Sequence, residues 1–460
     1  MADGEQAAKA DDRSFVGHPR GLGYLAFTEA WERFSFYGMQ SLLVLYMTKA
    51  LLLPGAREKV LLFEPFRRLF GSADGQPLAS AIFGTYAAGV YLTPILGGLL
   101  ADRLLGKRRT VLLGAVTMAL GHFLMAFEST FLFALLALVL GCGMFKGNIA
   151  SQVGALYAPD DLRRADAFQI FYLGINAGVI ASPFVVGTLG ERVGWHWGFG
   201  AAGVGMLLAL AIYLAGQRHL APEVGPAAAA AGRAARPPMT RDDWWAVAAL
   251  LAMVPVLAVA IVPNNQIFNA YLVWGDQAFD LTVIGRTFPT TWLIALDAIV
   301  SVTFLALVVV FYRWYGRRWK EPDEITKIVV GSGFSVLGTL CLVAAAGSAA
   351  GGGKIGLFWP VMFHVVNSIA FAHMLPVSLA LFAKVAPPAL HATVLGVYYL
   401  AFFLGNSMVG WVGGYLERMP AARFWWLHAG FAAGAGVAFL LFRLLLRKRL
   451  RAHAPAAEAA

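Results

Sequence analysis

Two glutamates and an arginine stand close together in a stretch whose neighbours are mostly apolar. The sequence reads EAWERFSFYG from Glu29 to Gly38. Glu29, Glu32 and Arg33 occupy positions i, i+3 and i+4, so a helix places all three on one face. A carboxylate beside a guanidinium stays ionised, whereas a carboxylate that leaves it and loses water takes a proton. The spacing therefore indicates a proton switch. The alternative is a fixed ion pair that holds this helix to a neighbour.

The composition shows that these charged residues lie in a mostly apolar chain, where charges are costly. Of the 460 residues, 59% are hydrophobic and 13% are charged, against about 45–50% apolar and about 25% charged in soluble domains. This composition indicates a membrane protein. A charged side chain at the bilayer centre costs roughly 2.5–3.5 kcal/mol on insertion scales. Three charges within one helical turn and a half must therefore face a paired, water-accessible interior.

About 20 apolar residues form one helix across about 30 Å of hydrocarbon. Runs of that length recur along the whole chain and predict an all-α membrane protein with 12 transmembrane helices in two six-helix bundles. The low-complexity stretch RHLAPEVGPAAAAAGRAARPPMTRDD separates the two sets of six, because it has little to bury. Lys and Arg concentrate between helices in the segments that lie inside if both termini are cytoplasmic. The predicted segments are a cytoplasmic tail at 1–20, an N-terminal bundle at 21–218, a cytoplasmic linker at 219–241, a C-terminal bundle at 242–447 and a cytoplasmic tail at 448–460.

Several other classes of protein are disfavoured by the residue pattern. The net charge of +10 comes from basic residues between the helices, so it reflects topology rather than a nucleic-acid partner. Cys142 and Cys341 each lie in a predicted helix and are expected to pack as small hydrophobes, without a disulfide or metal site. The histidines are dispersed and show no ligand spacing such as HExxH. We therefore expect no enzyme, no metal and no cofactor.

Long motifs in the first 200 residues resemble one known family. GTYAAGVYLTPILGGLLADR begins at Gly84, MFKGNIASQVGALY at Met144 and DAFQIFYLGINAGVIASP at Asp166. Together with EAWERF, they resemble the proton-dependent oligopeptide transporters of the major facilitator superfamily. The resemblance implies the major facilitator fold, with a solute site between the halves near the midplane. It implies a symporter that imports di- and tripeptides with protons by alternating access.

The resemblance also implies roles for residues of the N-terminal bundle. Lys146 matches a lysine that pairs with a helix-1 glutamate and approaches the substrate carboxylate, and a lone intramembrane lysine is itself a functional signal. Asn176 matches an asparagine that binds the peptide backbone, unless it makes an interhelical hydrogen bond instead. Tyr86 and Tyr91 match a pocket wall but are also compatible with core packing. The predicted substrate contacts on helix 1 are Arg33, Tyr37 and Gln40, whereas Phe36 replaces a tyrosine common in the family.

The C-terminal half matches the family pattern less closely. Asp276 is a candidate gate carboxylate for proton coupling, although its usual basic partner on helix 1 falls at Gln40. Asn269 stands where a small hydroxyl residue is common. Tyr398 and Tyr399 occupy the place of an aromatic pair in the pocket.

The chain departs most from the family pattern at the residues that recognise the peptide amino group. The glutamate that normally receives this group falls at Phe371, with His373 nearby, while Asp297 replaces a substrate-binding asparagine. A zwitterionic dipeptide needs an anion for its ammonium and a cation for its carboxylate. We expect Asp297 to take over the ammonium site, helped by His373. In the alternative, Asp297 pairs with Lys146 or Arg33 and serves only proton coupling.

The altered C-terminal pocket keeps a second function open. In that alternative the chain is a proton-coupled symporter of the same family for an amino-acid derivative, an organic anion or nitrate. In either case, the expected location is the bacterial inner membrane with both termini cytoplasmic. The expected partners are the small substrate, protons and lipid, and the expected state is a monomer without nucleic acid.

Overall fold

Helices form nearly all of the computed structural model, which describes residues 12–71, 73–158, 160–223 and 238–452. The helices are α1 (Arg20–Tyr46), α2 (Phe63–Arg68), α3 (Gly75–Leu100), α4 (Lys107–Leu124), α5 (Phe131–Gly154), α6 (Arg163–Ser182), α7 (Thr188–Arg192), α8 (Trp195–Gly216), α9 (Arg241–Asn265), α10 (Ala270–Ala278), α11 (Trp292–Gly316), α12 (Glu324–Ser348), α13 (Phe358–Val385), α14 (His391–Gly413) and α15 (Ala421–Ala452). A two-stranded antiparallel hairpin, β1 (Thr282–Val283) and β2 (Arg286–Thr287), pairs Thr282 with Thr287.

Ten helical segments of the described chain are long and apolar enough to span a membrane. Two further long helices, α1 and α4, lie outside this set. α1 carries the three charged residues near its middle, and α4 is 18 residues long with Lys107, Arg108 and Arg109 in its first turn. The all-α membrane class is therefore confirmed. Ten spans are supported by length and composition, and the count of twelve stays a prediction.

Parts of the predicted tails and linker fall outside the described residues. Residues 1–11 and 453–460 belong to the two predicted tails, and residues 224–237 make up most of the predicted linker at 219–241. Before the linker, α8 ends at Gly216 and a short 3-10 turn follows it. α15 continues to Ala452, beyond the predicted bundle end at residue 447.

The described contacts divide the chain into two units. The first unit comprises Met1–Gly75, Gly89–Arg233 and Pro289–Ala295, and the second comprises Gln76–Ala88, Ala234–Phe288 and Leu296–Ala460. The predicted bundles did not anticipate that the first half of α3 groups with the second unit. Within that unit, a Cβ on Gly84 would lie 2.4 Å from the Gly410 Cα, so two glycines let α3 and α14 touch backbone to backbone. Spacing within one segment does not reveal such a pair.

In the first unit, α1 is enclosed by α6 and α8. Most of its residues from Leu22 to Tyr46 are buried, which accords with a helix at the centre of a bundle. Gly178 of α6 makes this enclosure possible, since a Cβ there would lie 2.2 Å from the Ala30 carbonyl oxygen. The close approach of α6 and α1 at Ala30 holds the helix turn that carries the charged residues.

In the second unit, α12 packs on α13 and α15, while α9 packs on α14 and α15. Their buried faces form one apolar core, whose fully buried members include Met253, Ile328, Phe382 and Phe439. α9 contains Pro255 and Pro263, and the chain breaks its helical course at Asn269, where φ is −126° and ψ is −108°. The break separates α9 from α10 and turns polar side chains of this segment into the unit interior.

The contact between Gly178 and Ala30 predicts the effect of a single methyl group. Gly178→Ala places its Cβ against backbone that cannot move aside, so we expect a loss of about 1–3 kcal/mol in stability. The measurement is the thermal unfolding midpoint of the purified full chain in detergent. Gly200→Ala in α8 is the matched control, because nothing lies within 4 Å of its added Cβ. An unchanged midpoint for Gly178→Ala would contradict the close packing of α1 and α6.

Candidate functional site

One guanidinium contacts two buried carboxylates in α1. The Arg33 Nε lies 3.0 Å from the Glu29 Oε1 and 2.5 Å from the Glu32 Oε2, and the three side chains are 4%, 4% and 0% exposed. Glu29 Oε2, Glu32 Oε1 and Arg33 Nη2 have no hydrogen-bond partner among the described residues. With every group ionised, the cluster carries a net charge of −1 in a setting of low dielectric. Such a cluster has a place for one proton.

Aromatic rings surround the charged cluster. The Arg33 guanidinium carbon lies 5.2 Å from the centre of the Phe36 ring, within the range of a cation–π contact. Phe36 meets Tyr37 edge to face at 5.2 Å. Phe36 is buried, so the position where many relatives were expected to carry a tyrosine hydroxyl is apolar here. One turn on, Gln40 is half-buried, and its Oε1 is buried without a hydrogen-bond partner in the described structure.

Lys146 has a different partner from the expected one. Its Nζ lies 4.8 Å from the centre of the Tyr91 ring, which is a cation–π distance. No carboxylate of the described residues lies within 4.0 Å of it. The implied ion pair between Lys146 and a helix-1 glutamate is therefore not formed in this structure, because Arg33 already contacts both carboxylates. The charge of Lys146 still acts on Glu29 and Glu32 over a longer distance.

Close packing of α3 on α5 positions Tyr91 and Lys146. A Cβ on Gly97 would lie 2.1 Å from the Gly143 carbonyl oxygen, so the two helices touch through their backbones. Four residues before Gly97, the Thr93 hydroxyl donates to the Val139 carbonyl oxygen at 2.8 Å. Tyr91 and Lys146 flank this contact on their respective helices. The sequence indicated Tyr91 and Lys146 separately, whereas the contact between them follows from the packing of α3 on α5.

The structure places three further predicted site residues, Asn176, Tyr86 and Asp276, in different environments. The Asn176 amide donates to the Tyr172 carbonyl oxygen of the same helix at 2.8 Å, so the interhelical alternative is not what the structure shows. Asn176 is half-buried, which leaves it accessible. Tyr86 is 3% exposed and packs as core. Asp276 is half-buried in α10, and its gating role stays a prediction.

The second unit contains a side-chain triad that links three helices. The Asp297 Oδ1 of α11 lies 2.9 Å from the His364 Nδ1 of α13, and the His364 Nε2 lies 2.9 Å from the Tyr271 hydroxyl of α10. His364 and Tyr271 are fully buried, whereas the Asp297 side chain is 18% exposed. The partner of Asp297 in the described structure is therefore His364, and its roles in ammonium binding and in proton coupling stay predictions. Sequence reasoning missed His364 because no spacing connects it to Asp297.

His373 does not assist Asp297. Nine residues separate it from His364 on α13, or about 13 Å along a helix. Its Nδ1 lies 2.8 Å from the Ile369 carbonyl oxygen, and its ring packs on Phe334 and Tyr312. The predicted contribution of His373 to the ammonium site therefore has no contact with Asp297 behind it in the described structure. The Ile369 carbonyl oxygen lies one helical turn before His373, so the buried imidazole has a hydrogen-bond partner within its own helix.

The aromatic pair at Tyr398 and Tyr399 divides between core and surface. Tyr398 is 3% exposed and belongs to the apolar core, and its hydroxyl donates to the Leu375 carbonyl oxygen at 3.2 Å. The Ser378 hydroxyl lies 3.1 Å from the Tyr398 hydroxyl oxygen. Tyr399 is exposed. Tyr398 therefore does not fit a substrate contact in this structure, because its hydroxyl is already bonded within the core, whereas Tyr399 stays a candidate.

Asn269 forms hydrogen bonds with protein atoms on both of its side-chain polar groups. It is fully buried, and its amide nitrogen lies 3.2 Å from both the Gln266 Oε1 and the Val409 carbonyl oxygen. Its Oδ1 accepts a hydrogen bond from the Ser80 hydroxyl at 3.0 Å. Ser80 in turn accepts from the Gln76 amide at 2.7 Å. This network satisfies the polar groups exposed by the break after α9, so the predicted substrate role does not fit.

A second amide chain was also missed at sequence level. The Asn367 amide donates to Asn264 at 2.8 Å, Asn264 donates to the adjacent Asn265 at 3.3 Å, and Asn265 donates to Asn406 at 3.2 Å. The chain joins α13, α9 and α14. The Asn264–Asn265 pair beside Pro263 was the available signal, because two consecutive amides within a membrane helix need partners. The network fixes α13, and hence His364, relative to α9.

Comparison with known proteins identifies the family. A family model described as the POT family matches residues 108–228. A di-/tripeptide transporter of Lactococcus lactis subsp. cremoris is 30% identical over 455 residues, which cover 85% of this chain and 88% of that protein. The chain belongs to the POT family. Another member, the peptide transporter YePEPT of Yersinia enterocolitica, is 29% identical over 88% of this chain and 89% of that protein.

Solved structures of the POT family share the fold. A crystal structure of a peptide transporter POT with sulfate has a TM-score of 0.83 and 26% identity, covering 99% of both chains. A mutant of a peptide transporter POT with alafosfalin has a TM-score of 0.84 and 26% identity, covering 99% of this chain and 100% of that one. The predicted family and major facilitator fold are confirmed. The POT chain is a multi-pass membrane transporter rather than an enzyme, and its bacterial relatives imply a plasma-membrane location.

The amide network predicts that two asparagines of this POT chain differ in what they stabilise. Asn269→Ala removes hydrogen bonds to Gln266, Ser80 and Val409, so we expect stability to fall by about 1–3 kcal/mol. Asn176→Ala is the matched control, because its amide bonds only to its own helix, and its thermal midpoint should stay near that of the wild type. Equal midpoints for the two variants would contradict the structural role of Asn269.

Proposed function

We propose that the chain is a proton-coupled symporter that imports di- and tripeptides by alternating access. The observation that carries the proposal is the buried cluster in which Arg33 alone serves Glu29 and Glu32. A cluster that lacks one positive charge binds a proton favourably. Because the proton changes the ion pairs of the cluster, it also changes the affinity of the transporter for its substrate. The names of the two bacterial relatives, which specify peptides, support the choice of substrate.

The proton acts by changing which anion Arg33 contacts. Neutralising Glu29 or Glu32 removes one of its two partners and leaves the guanidinium available to a substrate carboxylate. Lys146, which contacts a ring rather than a carboxylate, supplies a second cation without first breaking an ion pair. When the substrate leaves, the charged glutamates regain Arg33. A ligand drives a conformational change only through different affinities for the two states, and this exchange of partners supplies such a difference.

Asp297 binds the ammonium group of the peptide. One of its oxygens contacts His364, while Oδ2 makes no hydrogen bond with the described residues, and the side chain is partly exposed. His364 orients the carboxylate, so that a rigid anion replaces the glutamate absent at Phe371. The alternative in which Asp297 serves only coupling has less support, because Asp297 already has a histidine partner within its own unit.

The setting of the transporter follows from its composition and relatives. We place both termini in the cytoplasm, because Lys and Arg concentrate in the segments that this orientation puts inside. The protein acts as a monomer in the lipid bilayer, with protons and a small peptide as its other partners. No cofactor takes part.

The decisive experiment is competition in proteoliposomes. The full chain is reconstituted with an imposed proton gradient, and uptake of labelled dialanine is measured with unlabelled peptides, amino-acid derivatives, organic anions or nitrate as competitors. We expect di- and tripeptides to compete and the other solutes to be weak. Saturable uptake that only a non-peptide solute inhibits would favour the alternative function. Uptake without dependence on the proton gradient would overturn the symport mechanism.

The charged cluster of α1 predicts a separation of coupling from binding. Glu32→Gln mimics a permanently protonated carboxylate, so concentrative uptake of dialanine should be lost while exchange down the substrate gradient is retained. Lys146→Ala should weaken both activities, because it removes a cation that is available to the substrate carboxylate. Glu64→Gln is the control, since Glu64 is exposed and pairs only with Arg67. Normal accumulation by Glu32→Gln would mean that α1 is a structural ion pair.

Asp297 predicts a dependence on the charged amino group of the substrate. Asp297→Asn keeps the size of the side chain but removes the anion, so dialanine affinity should fall by about 10- to 100-fold, as expected for a hydrogen bond to a charged group. The affinity of N-acetyl-dialanine, which has no ammonium, should be weak in the wild type and unchanged in the variant. Competition for uptake measures both affinities. Unchanged dialanine affinity with lost proton coupling would instead assign Asp297 to coupling.

A further inference from the structure

We infer that the segment between α1 and α3 anchors the first unit in the membrane interface, with its leucine side chains inserted into the lipid bilayer. This anchor segment comprises residues 53–71 and contains α2. Its most exposed leucines are Leu61, Leu62 and Leu69, at 53%, 62% and 77%. Three features point to lipid as their partner, namely the level of the segment in the membrane, its continuity with a lipid-facing stripe and its backbone.

Two ion pairs set the level of the anchor segment. The helical segments Gly75–Leu105 and Glu128–Gly154 are both long and apolar enough to span a membrane. The Arg57 guanidinium contacts the Asp74 carboxylate, directly before the first of these segments. The Lys59 Nζ lies 2.9 Å from the Glu128 Oε2, at the start of the second. Charged side chains are costly inside hydrocarbon, so these ion pairs hold the anchor segment at the level of the lipid headgroups.

The exposed leucines continue an apolar stripe on α4. Exposed apolar side chains recur every three or four residues of this helix and therefore share one face. They are Leu113, Val116, Leu120 and Phe123. Phe127, which is 62% exposed, prolongs the stripe beyond the end of the helix. Two residues further on, the Ser129 carbonyl oxygen accepts a hydrogen bond from the Leu61 amide nitrogen at 3.0 Å. Because an exposed apolar stripe on a membrane helix faces lipid, the leucines of the anchor segment meet the same lipid.

The other side chains of the anchor segment match those of interfacial helices. Phe66 and Phe70 stand edge to face with their ring centres 5.2 Å apart, and Phe63 is buried. Arg68 is exposed beside Leu69. Leucine and phenylalanine next to arginine are typical of helices that lie in the plane of the interface. In such helices the apolar side chains enter the acyl region while the guanidinium stays with the headgroups.

The backbone of the anchor segment also suits a position beside hydrocarbon. The Phe66 amide nitrogen donates to the Leu62 carbonyl oxygen at 3.1 Å, and the Leu69 amide nitrogen donates to the Phe66 carbonyl oxygen at 3.1 Å. Such pairing is needed where water is scarce. Leu62 has φ 62° and ψ 18°, in the left-handed region that favours glycine. A bulky apolar residue in a strained and exposed position points to a contact outside the protein.

Spin labels on single cysteines test the anchor in the full chain, reconstituted in phosphatidylcholine vesicles. Cys142→Ala and Cys341→Ala first remove the native thiols. A nitroxide is then attached to Leu62→Cys or Leu69→Cys, and its collision rates with oxygen and with a water-soluble nickel chelate are measured. Oxygen concentrates in the bilayer, whereas the chelate stays in water. The ratio of the two rates therefore reports whether each site lies in lipid.

Two labelled positions calibrate this ratio. Leu120→Cys reports the lipid-facing stripe of α4, and Glu64→Cys is the matched control on α2, because Glu64 is exposed and polar. We expect the oxygen-to-nickel ratio at Leu62→Cys and Leu69→Cys to exceed that at Glu64→Cys several-fold and to approach that at Leu120→Cys. The two leucine sites are independent of each other, and the thermal midpoint of each variant shows that it is folded.

Every other result overturns the anchor. A ratio at both leucine sites equal to that of Glu64→Cys would mean that the leucines face water. Low collision rates with both reagents would mean that protein covers them, and dipolar broadening that disappears on dilution with unlabelled chain would identify a second copy. A fluorophore on Leu69→Cys gives an independent measurement, since dibrominated phosphatidylcholine should quench it several-fold more than a fluorophore on Glu64→Cys. Equal quenching at the two positions would also refute insertion.

Discussion

The structure depends on one guanidinium that contacts two carboxylates within a membrane helix. Arg33 contacts Glu29 and Glu32 through one nitrogen, and all three side chains are almost completely buried. Burying an ion pair is costly unless its groups remain paired, so α1 must be enclosed by other helices. Gly178 permits that enclosure, because its missing side chain leaves room for the backbone of α1 at Ala30. The packing of the first unit is thus tied to the charge of this cluster.

The sequence predicted this cluster well because its geometry is local. Positions i, i+3 and i+4 of one helix are neighbours whatever the tertiary structure does. The all-α membrane class and the family were predictable for a similar reason, since both follow from contiguous apolar runs and long motifs. The contact of Lys146 with Tyr91 was not, because it depends on how closely Gly97 and Gly143 bring two helices together.

Tertiary contacts explain where the second unit differs from the expected arrangement. Asn269, His373 and Tyr398 have the polar groups expected of a binding site, yet each is buried and bonded to protein atoms. A sequence shows that a polar residue lies in a membrane helix but not whether its partner is protein or ligand. The sequence indicated Asp297 as a candidate site residue. It did not indicate His364, which lies 67 residues away and contacts Asp297 only because the fold brings α11 and α13 together.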